Sequence, residues 1–245
     1  MPLRTVLLLL LALSFSNAQT PLTLEQIISK SVDALGGAAN FAQVKAVRMK
    51  GSIRFGKGDA GPVLVLAQRP SNFRMEVTFG TDQVVQGYDG KTGWQALTGE
   101  HPQPAAELSG DTLYHLIDQA ANAIGGALLD RKQRGNTAEL SGVEDFNGTA
   151  CYKINVKLWT RDPIAIFIDR SSFLTVGEEF PMDVNGKPST IQQVVSDYRK
   201  FGSILVACRF VTREKGGEES QRLEVDSVEI NPALDAAVFH LPAKP

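Results

Sequence analysis

Histidine and cysteine are scarce in this chain, with three of the former and two of the latter among 245 residues. His101, His115 and His240 stand apart, without the paired spacing that lets two imidazoles reach one ion, so no metal is expected. No Gly-x-Ser-x-Gly elbow and no Cys-x-x-Cys occurs, which removes the usual signatures of a serine nucleophile and of thiol redox chemistry. An excess of either charge is also missing. Lys and Arg total 25 against 27 Asp and Glu, evenly spread, which argues against nucleic acid or an anionic membrane surface as the main partner.

What is present begins with a leader. Met1-Pro-Leu-Arg4, an apolar run from Val6 to Leu13, and the small residues around Ser16 and Ala18 read as a signal peptide over 1–18. The apolar run is far shorter than the roughly 18 residues that cross a bilayer. No cysteine follows the small residues, so the expectation is a soluble protein exported to the periplasm without a lipid anchor. Losing Arg4 takes the basic count from 25 to 24 against 27 acidic residues, a net of −3. Residues 19–245 suit a single all-β unit, and a monomer is expected. Cys151 shares strand parity with Lys153 and Asn155, whereas Cys208 shares it with Ile204, Val206 and Phe210. Side chains on opposite faces of a sheet do not bridge, so free thiols are favoured over a disulfide.

The first element is a helix in which Leu24, Ile27, Ile28, Val32 and Leu35 recur on one face, opened by a Thr23/Gln26 capping box and stopped at Gly36-Gly37. Strands follow. Val47, Met49, Gly51, Ile53 and Phe55 alternate with Arg48, Lys50, Ser52 and Arg54, and Phe73, Met75, Val77 and Phe79 alternate with Arg74, Glu76 and Thr78. This period of two gives one apolar face and one wet face. Further strands are expected over 62–68, 82–89, 93–97, 138–143, 150–159, 164–170, 173–180, 191–200, 204–214 and 221–230. One helix interrupts them, from Asp111 to Ile124, with Leu113, Leu116, Ile117, Ala120 and Ile124 as its stripe and Gly125-Gly126 as its stop. Two helices cannot cover a dozen strands. The fold class expected is therefore mainly β: one large curled antiparallel sheet, a half-open β-barrel, with amphipathic helices as a lid over an apolar hollow.

Several motifs point elsewhere and fail on context. Gly56-Lys-Gly58-Asp-Ala-Gly61 fits the dinucleotide fingerprint, but Pro62–Leu66 continues as a strand and supplies no helix N-terminus for a pyrophosphate. Gly90-Lys91-Thr92 resembles the end of a phosphate loop, yet Val85 stands where its first glycine belongs. Both are read as turns, as is Asn147-Gly148 in preference to a glycosylation site. Asp89, Asp169, Glu178 and Glu179 fall in turns or at solvent-facing strand positions, with no nucleophile or base to pair with them. An apolar hollow with few polar groups suits binding without a cofactor rather than catalysis.

Four segments in order resemble the outer-membrane lipoprotein-sorting (LolA/LolB-like) family: Arg69-Pro70-Ser-Asn-Phe73, Tyr88-Asp89-Gly90-Lys91-Thr92-Gly93-Trp94, Ile166-Phe-Ile-Asp169 through Val176, and Leu234-Asp235 through Phe239 to Pro242. The resemblance implies an open barrel that ferries lipoprotein acyl chains between a membrane-bound donor and acceptor. Val47, Met49, Ile53, Phe55, Phe73, Met75, Val77, Phe79 and Trp94 would then line the cavity, with plain core packing as the alternative for Trp94. Ile28, Val32, Leu113, Leu116, Ile117 and Ile124 would form the lid. The residue carried over as the contact that holds the lid closed is Arg69, the alternative being an ordinary surface charge. The Gly36-Gly37 pair, the region around Trp159–Pro163 and the hairpin over 181–190 depart from the family pattern and mark a divergent member. A regulatory module sensing envelope lipids or proteins stands as the second reading, and a hydrolase or isomerase using the hollow as a third.

Overall fold

The computed structural model describes residues 21–158, 163–184 and 186–243; the leader read over 1–18 and Trp159–Asp162 lie outside them. The chain opens with α1 (Leu24–Ala34), where Thr23 and Gln26 form the expected reciprocal cap, and α2 (Ala38–Gln43), a short helix that sequence periodicity did not reveal. Six strands follow: β1 (Ala46–Phe55), β2 (Gly61–Gln68), β3 (Asn72–Phe79), β4 (Asp82–Asp89), β5 (Gly93–Thr98) and β6 (Gln103–Glu107). Helices α3 (Gly110–Asn122) and α4 (Gly126–Leu129) lead to β7 (Thr137–Phe146), β8 (Thr149–Lys157), β9 (Ile164–Asp169), β10 (Thr175–Val184), β11 (Lys187–Phe201), β12 (Ile204–Glu214) and β13 (Glu219–Ile230). A short 3-10 turn at Ala236–Phe239 closes the described chain.

All thirteen strands form one antiparallel sheet in the order β6-β5-β4-β3-β2-β1-β13-β12-β11-β10-β9-β8-β7, with β6 and β7 as free edges. It is an open barrel with a few helices. The hairpin over 181–190 lengthens β10 and β11 instead of forming a separate element. The short, proline-containing β6 escaped notice because Gln103–Glu107 has no apolar alternation.

Register assigns every strand residue to a face. Val47 pairs with Ala67 and Ala67 with Phe73, Met49 with Val65 and Val65 with Met75, and Ile53 with Leu223, so the apolar residues of neighbouring strands share one side. This inner side carries the helices. Phe41, Val44, Leu116, Ala120 and Ile124 pack with Val47, Ala67, Phe73 and Tyr88, while Ile27, Ile28, Ala127 and Leu128 pack with Ile154, Val156, Ile164, Ile166 and Ile168. The outer side is more polar, its buried apolar residues being Leu66, Val85 and Trp94 on β2, β4 and β5 and a small cluster of Phe146, Cys151 and Phe167. Cys151 belongs to that outer cluster and Cys208 alternates with inner residues; both are buried and unbridged.

The turns behave as their residues require. Asn147 and Gly148 both take positive φ between β7 and β8, the geometry of a two-residue hairpin turn. Asp89 accepts hydrogen bonds from the Lys91 and Thr92 amides, which makes Gly90-Lys91-Thr92 a turn between β4 and β5.

Candidate functional site

The inner face falls into a covered part and an open part. Beneath α3 the side chains fill the space: Leu116 is 1% exposed and Phe73 and Ile124 are buried. Gly93 makes this closeness possible, because a Cβ there would stand 2.5 Å from Leu113 Cδ1 and 3.2 Å from Leu116 Cδ2. The opening left beside Ala67, Arg69, Pro70, Ala120, Ile124 and Arg134 has a volume of about 10 Å³, room for one water and not for an acyl chain. Beneath α3 the inner face is thus covered by the helix itself.

Away from α3, Ile53, Val63 and Val77 form a separate apolar cluster joined by Met75, Val65 and Leu223. Phe55 and Phe79 stand at its outer end, 46% and 43% exposed, with ring centroids 5.5 Å apart. Single exposed apolar residues are ordinary, but these two rings, tilted at 51° to each other, continue a buried apolar strip out to the surface. Eight of the nine residues read as cavity lining therefore share the inner face: Val47, Met49, Ile53, Phe55, Phe73, Met75, Val77 and Phe79.

Trp94 does not. It pairs with Gly87, whose neighbour across the ladder is Arg74, and so it points outward. There it is 1% exposed, its indole N–H donates to the Phe239 carbonyl at 2.8 Å, and the Arg74 guanidinium lies 5.5 Å from its ring. Parity is the physical reason: with Gly93, Gln95 and Leu97 facing inward, Trp94 must face outward. Gly87 leaves the space its ring occupies, since a Cβ there would fall 2.4 Å from the indole. The C-terminal turn covers it, held also by Arg74 donating to the Val238 carbonyl at 2.9 Å and by His240 Nδ1 lying 3.0 Å from Asp89.

The helices read as one lid cover different parts of the sheet. Leu113, Leu116, Ile117 and Ile124 lie over β3–β5, whereas Ile28 and Val32 lie over β8 and β9. Arg69 reaches across to the end of α4: its guanidinium binds Asp130 at 2.6 Å and its Nε donates to the Val44 carbonyl at 3.1 Å. Arg134 adds to the same knot, 3.5 Å from Asp130 and donating to Asn122 Oδ1 at 3.1 Å. Nearly buried Arg131 holds both carboxylate oxygens of Glu25, joining α1 to the segment after α4. Asp130 and Arg131 were not singled out by sequence, because an Asp-Arg pair after a helix is ordinary until its partners are seen.

The acidic residues read as solvent-facing divide. Glu179 is only 9% exposed, accepting from Gln192 at 3.0 Å and from Lys215 at 2.9 Å, a satisfied outer-face network. Asp169 caps a turn through Ser171 and Ser172. No group of three or more His, Cys, Asp or Glu residues that could hold a metal occurs among the described residues. No described helix is long and apolar enough to cross a membrane.

No protein-family model and no curated protein sequence matches the chain. Solved structures do. A LolA-superfamily protein from Nitrosomonas europaea superposes with a TM-score of 0.57 at 14% identity, over 90% of this chain and 98% of that one. A DUF1329-family protein from Desulfovibrio piger gives 0.58 at 10% identity, over 88% and 96%. An outer-membrane lipoprotein-sorting domain from Vibrio parahaemolyticus gives 0.56 at 10% identity, over 87% and 94%. Identities this low establish a shared fold.

Proposed function

We propose, from a chain with the LolA-like open-barrel fold, that this protein is a periplasmic carrier: it binds acyl chains of lipoproteins or other lipids on its inner face and passes them from a membrane-bound donor to an acceptor at the outer membrane. The observation that carries the reading is the continuous inner apolar strip. It runs from Phe73 and Val47 under α3, through Met49, Val65 and Met75, to the uncovered pair Phe55 and Phe79. Each methylene placed on such a surface contributes about 0.8 kcal/mol, so ten carbons of acyl chain supply several kcal/mol after ordering costs. The partly exposed Leu113 and Ile117 on α3 border this strip, and Arg69 with Asp130 holds the closed state that carries no chain. Binding of this kind uses no cofactor and no bond-breaking step.

The test is native mass spectrometry of protein purified from the envelope without detergent, with lipid identification, beside the Ile117→Glu variant. Ile117 is the better probe than Leu116, since a glutamate at the fully buried Leu116 would unfold the site it is meant to report on. A co-purifying acyl species that disappears in Ile117→Glu is the expected result. A lipid-free mass for the wild type, unchanged after exposure to long-chain lipid, would sink the proposal.

A further inference from the structure

The sheet is continuous in order but not in pairing. β12 pairs with β11 along its whole length, from Ile191 opposite Glu214 to Phe201 opposite Ile204. With β13 it pairs only over Arg209–Arg213, opposite Glu219–Glu224. The stretch Ile204–Cys208 and the stretch Val225–Ile230 therefore have ladders on their far sides, to β11 and β1, and none to each other. The sheet is split at one end and joined at the other.

The helices divide in much the same way. α2 and α3 pack with β1–β5, whereas α1 and α4 pack with β8–β10; Ile204 and Val206 of β12 and Leu129 of α4 cross over to join the cluster of Phe41, Val44 and Val47. Two lobes result: one of β1–β6, β13, α2 and α3, the other of β7–β12, α1 and α4. The chain passes between them three times. It crosses from α1 to α2 at Gly36-Gly37, from α3 to α4 at Gly125-Gly126, and from β12 to β13 at Gly216-Gly217. These are the three Gly-Gly dipeptides of the sequence. Five of the six glycines take positive φ, from 72° to 119°, where glycine alone moves freely.

Side-chain ties bridge the split. Arg199 of β11 donates through Nη2 to the Val225 carbonyl and through Nη1 to that of Asp226 at 3.5 Å, filling part of the missing ladder. Arg69 of the first lobe binds Asp130 of the second. Polar ties of this kind, with the arginines partly exposed, are exchangeable for water in a way that a strand ladder is not.

We infer that the protein opens as two rigid lobes, each carrying its own helices, hinged at the paired β12–β13 end and jointed at the three Gly-Gly crossings. The inner face is then exposed by parting the lobes along the Arg199 and Arg69 ties and unseating Ile204 from its cluster with Phe41 and Val44, and not by lifting a lid off a rigid sheet. This rests on the carrier reading only for its purpose; the motion itself is testable without a ligand.

The experiment is pulsed electron–electron spin resonance in a Cys151→Ala, Cys208→Ala background, with nitroxides on introduced cysteines at exposed positions. One pair, Ser227→Cys with Lys200→Cys, spans the split; the other, Lys91→Cys with Gln119→Cys, spans α3 and the sheet beneath it. Removing the ties by Arg199→Ala with Asp130→Ala should lengthen and broaden the first distance and leave the second unchanged. The milder Asp130→Asn should give a smaller change in the same direction, with circular dichroism confirming that each variant is folded. An unchanged Ser227–Lys200 distance in the folded variants, or lengthening confined to Lys91–Gln119, overturns the inference. Adding a dansyl-labelled fatty acid separates the two claims: a lobe shift in the variants without probe binding keeps the hinge and removes the carrier, and binding without any shift does the reverse.

Discussion

Single residues in this protein are constrained most where two elements share one space. Gly87 is such a place, and Gly87→Ala drives a methyl into the Trp94 indole. Overpacking of this kind costs roughly 1–3 kcal/mol, so the urea midpoint should fall with little change in slope. An unchanged midpoint would mean that the ring relocates freely, contrary to its hydrogen bond to Phe239. The thiols make a second residue-scale test. Burial, with Asp169 and Asp145 nearby, pushes the Cys151 thiol up to about 11, and burial likewise raises Cys208. Neither is accessible as a thiolate near neutral pH. A thiol reagent at pH 8 should leave both unmodified in the native protein and modify both in denaturant; rapid native labelling would contradict their placement.

Among the elements, the C-terminal turn adds polar contacts with the sheet to the burial of Phe239. Burial alone would raise the Asp89 carboxyl, but the Thr92 amide, His240 and the Lys91 amide outweigh it and hold it below its ordinary value. A depressed carboxylate contributes stability that is present above the ordinary carboxylate range and lost as pH falls through the folded value. The turn should therefore loosen from Trp94 below about pH 4, seen as a fluorescence change in a Trp159→Phe background. Asp89→Asn should flatten that transition. A pH profile identical in the variant would detach the turn from Asp89. The helices contrast with this strap, since α1 and α3 are held by buried apolar faces that acid leaves intact.

At the scale of the whole molecule, closure of the empty protein and the proposed binding compete. The apolar strip that would bind lipid is the strip that α3 buries, so every contact stabilising the empty protein competes with cargo. Arg69→Ala removes one closing contact without touching the inner face. Because only the empty closed state loses a contact, a dansyl fatty acid should bind several-fold more tightly to this variant, with a melting temperature close to wild type, since partly exposed ion pairs contribute about 1 kcal/mol or less. Weaker binding would mean that Arg69 holds cargo and not closure.

Much of this was legible from the residues themselves. Alternation in Val47–Phe55 and Phe73–Phe79 determined both strands and their inner faces, the Thr23/Gln26 box set the start of α1, and Asn147-Gly148 set a hairpin, because each depends on neighbours within a few positions. Parity alone also separated the two cysteines, and would have turned Trp94 outward had it outweighed the resemblance. What only the tertiary structure decided was long-range: which helix covers which strands, that Arg69 meets Asp130 and Arg131 meets Glu25, and that β12 and β13 part beyond Arg209. Those choices depend on how thirteen strands curl together, and local sequence periods carry no information about curvature or about partners a hundred residues away.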